Sequence, residues 1–161
     1  MPKIKSKITT VEKDLGFNQA MKNIKEAKGN PGVEVGILAR DGGKKNQGDD
    51  FNLAQIAAVN EFGTTDGRVP ARSFLRSTMT ENKKQLNLQT DILIGQILTG
   101  RSSVKKALNL LGVQIASLIK RKITILRDPP NAPSTIAQKG STNPLVDTGR
   151  LRASINHEVK S

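Results

Sequence analysis

The sequence predicts one α+β domain spanning residues 1–161, with a small mixed or antiparallel sheet covered by two long helices and two extended loops. Three observations carry this. Residues 33–39 and 151–159 alternate apolar and polar side chains with a period of two, as half-buried strands do. Residues 103–125 repeat apolar side chains every three or four positions. Clusters of Gly, Pro, Asn and Asp separate these segments. A chain of 161 residues is long enough to bury one core without staples.

Residues 3–9 alternate with Ile4 and Ile8 on one face, which predicts a short edge strand whose lysines discourage edge pairing. Asp14 is placed to cap a helix running to about Lys28, and Phe17, Ala20, Met21, Ile24 and Ala27 form its expected core face. Gly29-Asn30-Pro31-Gly32 stops it. A strand follows, with Val33, Val35 and Ile37 on the buried side. Residues 40–50 are polar and glycine-rich and read as a loop. Residues 53–62 form a short amphipathic helix closed by Gly63 to Gly67. Ser73 is a reasonable N-cap for a helix reaching Leu98, with a break near Asn87. The second long helix carries Val104, Ala107, Leu108, Leu111, Ile115, Leu118 and Ile119 as its stripe, and Asp128-Pro129-Pro130 breaks it. Residues 129–144 read as a long loop, and residues 151–159 as a returning strand that completes the sheet.

The formal net charge is +12. It is concentrated at the two ends: residues 1–30 carry +4 and residues 101–161 carry +8. Such a chain is attracted to polyanions, whether nucleic acid, an acidic protein surface or an anionic membrane. Aromatic platforms for stacking bases are scarce, with four Phe and no Tyr or Trp. No helix-turn-helix or zinc-finger pattern is visible, so contact with DNA would be to phosphates, without sequence specificity. The N-terminus is basic but lacks the apolar run of a signal peptide, and no stretch approaches the ~20 apolar residues of a membrane span. A soluble protein made in the cytoplasm, with no membrane partner, is expected.

Enzymatic chemistry is not expected. Cysteine is absent and His157 is the only histidine, so neither a metal centre nor a cofactor is expected. The glycine pairs and clusters lack the spacing of a phosphate-cradling loop. Asp49 and Asp50 are adjacent in a polar loop, which is not the geometry of a catalytic carboxylate pair.

Three segments together resemble a known family. Leu53–Phe62 with Gly63 and Thr64 reads LAQIAAVNEFGT, a short helix ending in an E-F/Y-G turn. Residues 69–78 read VPARSFLRST, similar to an I-P-A-R-P-F-L-R segment, with Ser73 where the family often has a second proline. Residues 129–155 read PPNAPSTIAQKGSTNPLVDTGRLRASI and resemble the K-G…P-L-x-D-T-G-x-L-R-x-S-I ending of phage virion-morphogenesis and tail-completion proteins, carried by Mu-type and lambdoid phages. Pro133-Ser134 departs from the apolar or aromatic residue that commonly precedes the Ser/Thr there.

The resemblance implies a structural protein of the bacteriophage head–tail junction, a neck or tail-completion protein located in the virion. It implies a ring, of six copies, that joins the head-side connector or adaptor proteins to the tail terminator or tail tube. Packaged DNA would pass along the axis of such a ring, in nonspecific contact with it. Arg72, Arg76, Lys120, Arg121, Lys122, Arg150 and Arg152 are the residues expected to face DNA or a neighbouring subunit. Loops 40–50 and 128–146 are the expected docking arms. The alternative reading is a small basic protein that binds DNA without sequence specificity.

Overall fold

A computed structural model describes residues 14–45 and 51–160. The expected strand at residues 3–9 and the tip of the first loop, residues 46–50, lie outside the described residues. The architecture is α+β: a two-stranded antiparallel sheet packed against helices.

Strand β1 (Gly32–Ile37) pairs with β2 (Ile155–Lys160), in a register that sets Val33 opposite Val159, Val35 opposite His157 and Ile37 opposite Ile155. These six side chains therefore share one face of the ribbon. Helix α6 (Val104–Ile125) packs on the ribbon, with Ile115, Ile119 and Ile123 in the core. Ser103 caps it by accepting from the Lys106 N–H (3.2 Å). On the other face of the ribbon, Lys160 bridges Glu34 and Glu158.

Returning strand β2 is shorter than its sequence pattern. Leu151 and Ala153 alternate with polar residues, yet they lie on a helical turn, α8 (Arg150–Ala153). Three residues of alternation are compatible with either state. Gly149 turns the chain in the left-handed region (φ 76°), and the Ser154 hydroxyl donates to the Leu151 carbonyl (2.8 Å), which completes the turn before Ile155 enters the sheet.

Helix α1 (Phe17–Ala27) follows a left-handed Gly16, and Asp14 ties its start by accepting from the Gly16 N–H and the Asn18 amide (both 2.9 Å). The helix faces the opposite way from its apolar stripe. Phe17 is 71% exposed, and Met21 and Ile24 are also exposed, whereas Asn23 is fully buried. The Asn23 amide donates to the carbonyls of Ile97 (2.9 Å) and Ser102 (2.7 Å). Those carbonyls lie at the turn joining helix α5 (Lys83–Leu98) to α6, where helix ends leave acceptors unsatisfied. A polar plug, not an apolar face, seats α1.

One turn of helix, α2 (Ala39–Gly42), opens the first loop. Helix α3 (Leu53–Phe62) has the predicted bounds and a reciprocal capping box between Asn52 and Gln55. The helix expected from Ser73 to Leu98 is two helices, α4 (Arg76–Glu81) and α5, and the break falls at Asn82 rather than near Asn87. There the Asn82 amide donates to the Thr78 carbonyl (2.8 Å), so a side chain competes with the backbone ladder. The second extended loop contains helix α7 (Pro133–Lys139), with Pro133 at its first position and a left-handed Gly140 at its end. The core joins Phe74, Ile119, Ile123 and Ile155, all essentially inaccessible, with Leu53, Ala57, Leu145 and Leu151.

Candidate functional site

Glu61 and Arg72 join the three segments singled out in the sequence. Glu61, in the last turn of α3, is 2% exposed. Its carboxylate accepts from the N–H groups of Phe74 and Leu75 (2.8 Å each) and Arg76 (3.1 Å). It also accepts from the Ser73 hydroxyl (2.7 Å) and from Arg76 Nε (3.0 Å). These N–H groups lie at the start of α4 and have no intrahelical partner. A carboxylate borrowed from α3 thus caps α4, where negative charge also suits the helix dipole. Burial pushes the Glu61 carboxyl up; the hydrogen bonds from Leu75, Ser73 and Arg76 together outweigh it and hold its pKa below the usual glutamate value.

Arg76 is exposed, and its guanidinium lies over the Phe62 ring at 4.6 Å from the centroid, besides its bond to Glu61. Arg72, by contrast, is buried within the chain. It is 6% exposed, with Nε donating to the Pro129 carbonyl (2.8 Å) and Nη2 to the Pro130 carbonyl (2.9 Å) and Asn131 Oδ1 (3.3 Å). Burial lowers its pKa, but a guanidinium remains charged. Arg72 is a clamp that fastens the start of the 129–144 segment to the rest of the domain. That segment is further pinned where the Asn143 amide donates to the Thr124 carbonyl (2.9 Å) and Asn143 Oδ1 accepts from the Leu145 N–H (3.0 Å).

Of the remaining predicted cations, Lys120, Arg121, Lys122 and Arg152 gather around the C-terminal end of α6. Lys122 pairs with Glu81 of α4 at 2.6 Å. Arg121 is exposed and Lys120 half-buried. Arg152 of α8 reaches the Thr124 hydroxyl (3.5 Å), and that hydroxyl donates to the Lys120 carbonyl (2.9 Å), one turn back. Arg127, which sequence reasoning passed over, donates to the carbonyls of Thr124 (2.7 Å) and Leu126 (2.9 Å). The C-terminal carbonyls of a 22-residue helix attract cations in this way. Arg150 lines a cavity of about 210 Å³ with Asp147 and Thr148 of the preceding turn. The cluster is a positive surface in which Lys122 pairs with a carboxylate and Arg127 and Arg152 bond to oxygens at the end of α6.

Sequence reasoning missed Glu61, Asn23 and Asn131. Glu61 stood within the E-F-G turn as an ordinary polar helix residue, and its capping role spans 13 to 15 residues of chain. Among the described residues no three His, Asp or Glu side chains gather as a metal site would need, and no helix is long and apolar enough to cross a membrane. No family model, curated protein or solved structure matches the chain.

Proposed function

We propose that this chain is a non-enzymatic structural protein of a tailed-phage head–tail junction, a neck or tail-completion protein that assembles as a closed ring of six copies. The observation that supports it most is the interlocking of the three segments that resemble this family. Glu61 of the first caps the second, and Arg72 of the second clamps the third. Glu61 and Arg72, which belong to the recognisable parts of the first two segments, are thus joints of one unit that also holds the start of the third, as a shared domain requires. Identical subunits in a cyclic ring make head-to-tail contacts, and the positive end of α6 would face the DNA path or an acidic neighbouring ring.

Imaging of intact particles that locates this chain tests the reading. Density between the head connector and the tail supports it, and a position in the capsid shell or baseplate refutes it. The second reading, a small basic DNA-binding protein, draws on the cluster of Lys120, Arg121 and Arg152 around the end of α6. A salt-titrated gel shift with short duplex DNA separates the two. Tight binding by the isolated monomer favours the second reading. Weak binding with ring formation, seen by light scattering on a sizing column, favours the first.

A further inference from the structure

A groove of about 600 Å³ follows strand β1, with Val33 and Val35 on one side, Leu75 and Met79 on the other, and Ile115 and Ile119 of α6 as its floor. Met79 is left 44% exposed in its wall. No residue of β2 lines the groove, so it lies on the side of β1 away from its partner strand. On that side β1 has no neighbouring strand among the described residues. About half of its N–H and C=O groups point there, as at any sheet edge. Unpaired backbone beside apolar walls is what an added strand requires, with hydrogen bonds on the edge and alternate side chains in the groove. The other face of the ribbon adds a requirement of charge. Glu34 and Glu158 stand directly opposite each other, and one ammonium, that of Lys160, serves both at 3.5 and 3.4 Å. Like charges so placed repel, and a further cation beside them relieves the repulsion.

We propose that this groove is the docking site of the chain's own residues 3–9, which lie outside the described residues, as a third strand beside β1. The segment reads KIKSKIT. As a strand it sets Ile4, Ser6 and Ile8 on one face and Lys3, Lys5 and Lys7 on the other. With the isoleucines in the groove, the lysines stand on the face that holds Glu34 and Glu158. The opposite orientation would bring three ammonium groups onto Ile115 and Ile119, so the pattern selects one face. The reach agrees. Asp14 stands two residues before Gly16, whose backbone abuts Thr99 and Gly100 at the turn into α6. The Val33 end of the groove rests over Gly112, about 12 Å along α6 from Val104. Extended chain from Thr9 to Asp14 spans up to about 17 Å. The segment therefore enters at the Val33 end and runs antiparallel to β1. Its lysines then blunt an edge that would otherwise be open to pairing with a second copy. The inference rests on the groove and its charges and holds whether or not the chain belongs to a virion.

The chain has no cysteine, so an introduced pair reports proximity without background. In the full-length protein, Ser6→Cys with Met79→Cys should close an intramolecular disulfide on mild oxidation. Ser6→Cys with Leu88→Cys, an exposed position on α5 outside the groove, should close about tenfold more slowly. Mass spectrometry and a non-reducing gel read both. A second measurement needs no cysteine. Ile4→Lys with Ile8→Lys should raise amide hydrogen exchange in β1 about tenfold and leave that of α5 unchanged. Equal closure of the two pairs, no closure of the first, or unchanged exchange in β1 overturns the inference. A disulfide-linked dimer as the main product of the first pair also overturns it, and assigns the groove to the segment of a second copy.

Discussion

Glu61 concentrates more consequences than any other residue. Three backbone N–H groups, a hydroxyl and a guanidinium all depend on one buried carboxylate. Glu61→Gln keeps the shape but loses the charge-assisted bonds, and it should lower unfolding free energy by about 2–3 kcal/mol, read from the urea midpoint. The pH dependence has a definite sign. The folded pKa of Glu61 lies below that of the unfolded chain, about 4.3. Its stabilisation is therefore complete above that value and fades as pH falls through the lower folded one. Glu61→Gln should flatten this acid limb, and an unchanged limb would show that other carboxylates govern it. Gly112 is a second decisive position. A Cβ there would lie 2.6 Å from His157 Cδ2 and 2.8 Å from a Val33 methyl, so α6 touches the ribbon through a missing side chain. Gly112→Ala should destabilise by about 1–3 kcal/mol. Gly95→Ala, on α5 with open space around it, should instead stabilise by up to about 1 kcal/mol. Equal effects of the two on Tm would refute this account of the helix–sheet contact.

At the scale of elements, the sequence was legible where local chemistry decides the outcome. Ser103 before an apolar stripe fixed the start of α6, and Gly63 fixed the end of α3. Legibility failed where partners distant in the chain decide. Periodicity locates the apolar face of α1 but says nothing of which way it points. That direction is set by Asn23 reaching two carbonyls more than 70 residues away. The close backbone approach of Gly16 to Gly100 holds the same junction, because any side chain at Gly100 would strike the Gly16 backbone. This predicts a reversal of the usual rule. Asn23→Leu should cost about 2 kcal/mol and raise hydrogen exchange throughout α1, because it leaves the Ser102 carbonyl unpaired and takes from the Ile97 carbonyl one of its two donors, the other being the Gly100 N–H. Phe17→Ser and Met21→Gln should leave monomer stability within about 0.5 kcal/mol of the parent. Large losses from the apolar substitutions would place that face in the core after all. The break at Asn82, and the helix α7 inside the proline-rich segment, were hidden for a related reason. Asn82 and Asn87 are equally good local competitors for the backbone, and Pro133 both ends a loop and begins a helix.

For the whole molecule, six of the seven cations picked out in the sequence divide into two populations with different physics. Arg72 and Arg76 belong to the joints of the fold, where their donors meet carbonyls and Glu61. Lys120, Arg121, Lys122 and Arg152 belong to the positive end of α6, to which Arg127 must be added, while Arg150 lines a cavity with Asp147 and Thr148. Residue type alone could not separate them, because the difference lies in what the rest of the chain brings alongside. The division sets how the protein should meet DNA. With Lys122 held by Glu81 and Arg127 by carbonyls, about three cations of the cluster can release counterions on contact with phosphates. The isolated chain should then bind duplex DNA weakly, with log K falling against log salt at a slope of about −3. A ring repeats that surface around its axis, so assembled protein should show a slope of about −10 or steeper. Replacing Lys120, Arg121 and Arg152 together by Gln should abolish most of both slopes and leave Tm nearly unchanged, since these exposed or half-exposed groups add little to stability. A monomer that already binds tightly with the steep slope would transfer the argument to the DNA-binding alternative. Unchanged slopes in the triple variant would mean that the positive end of α6 meets an acidic protein instead.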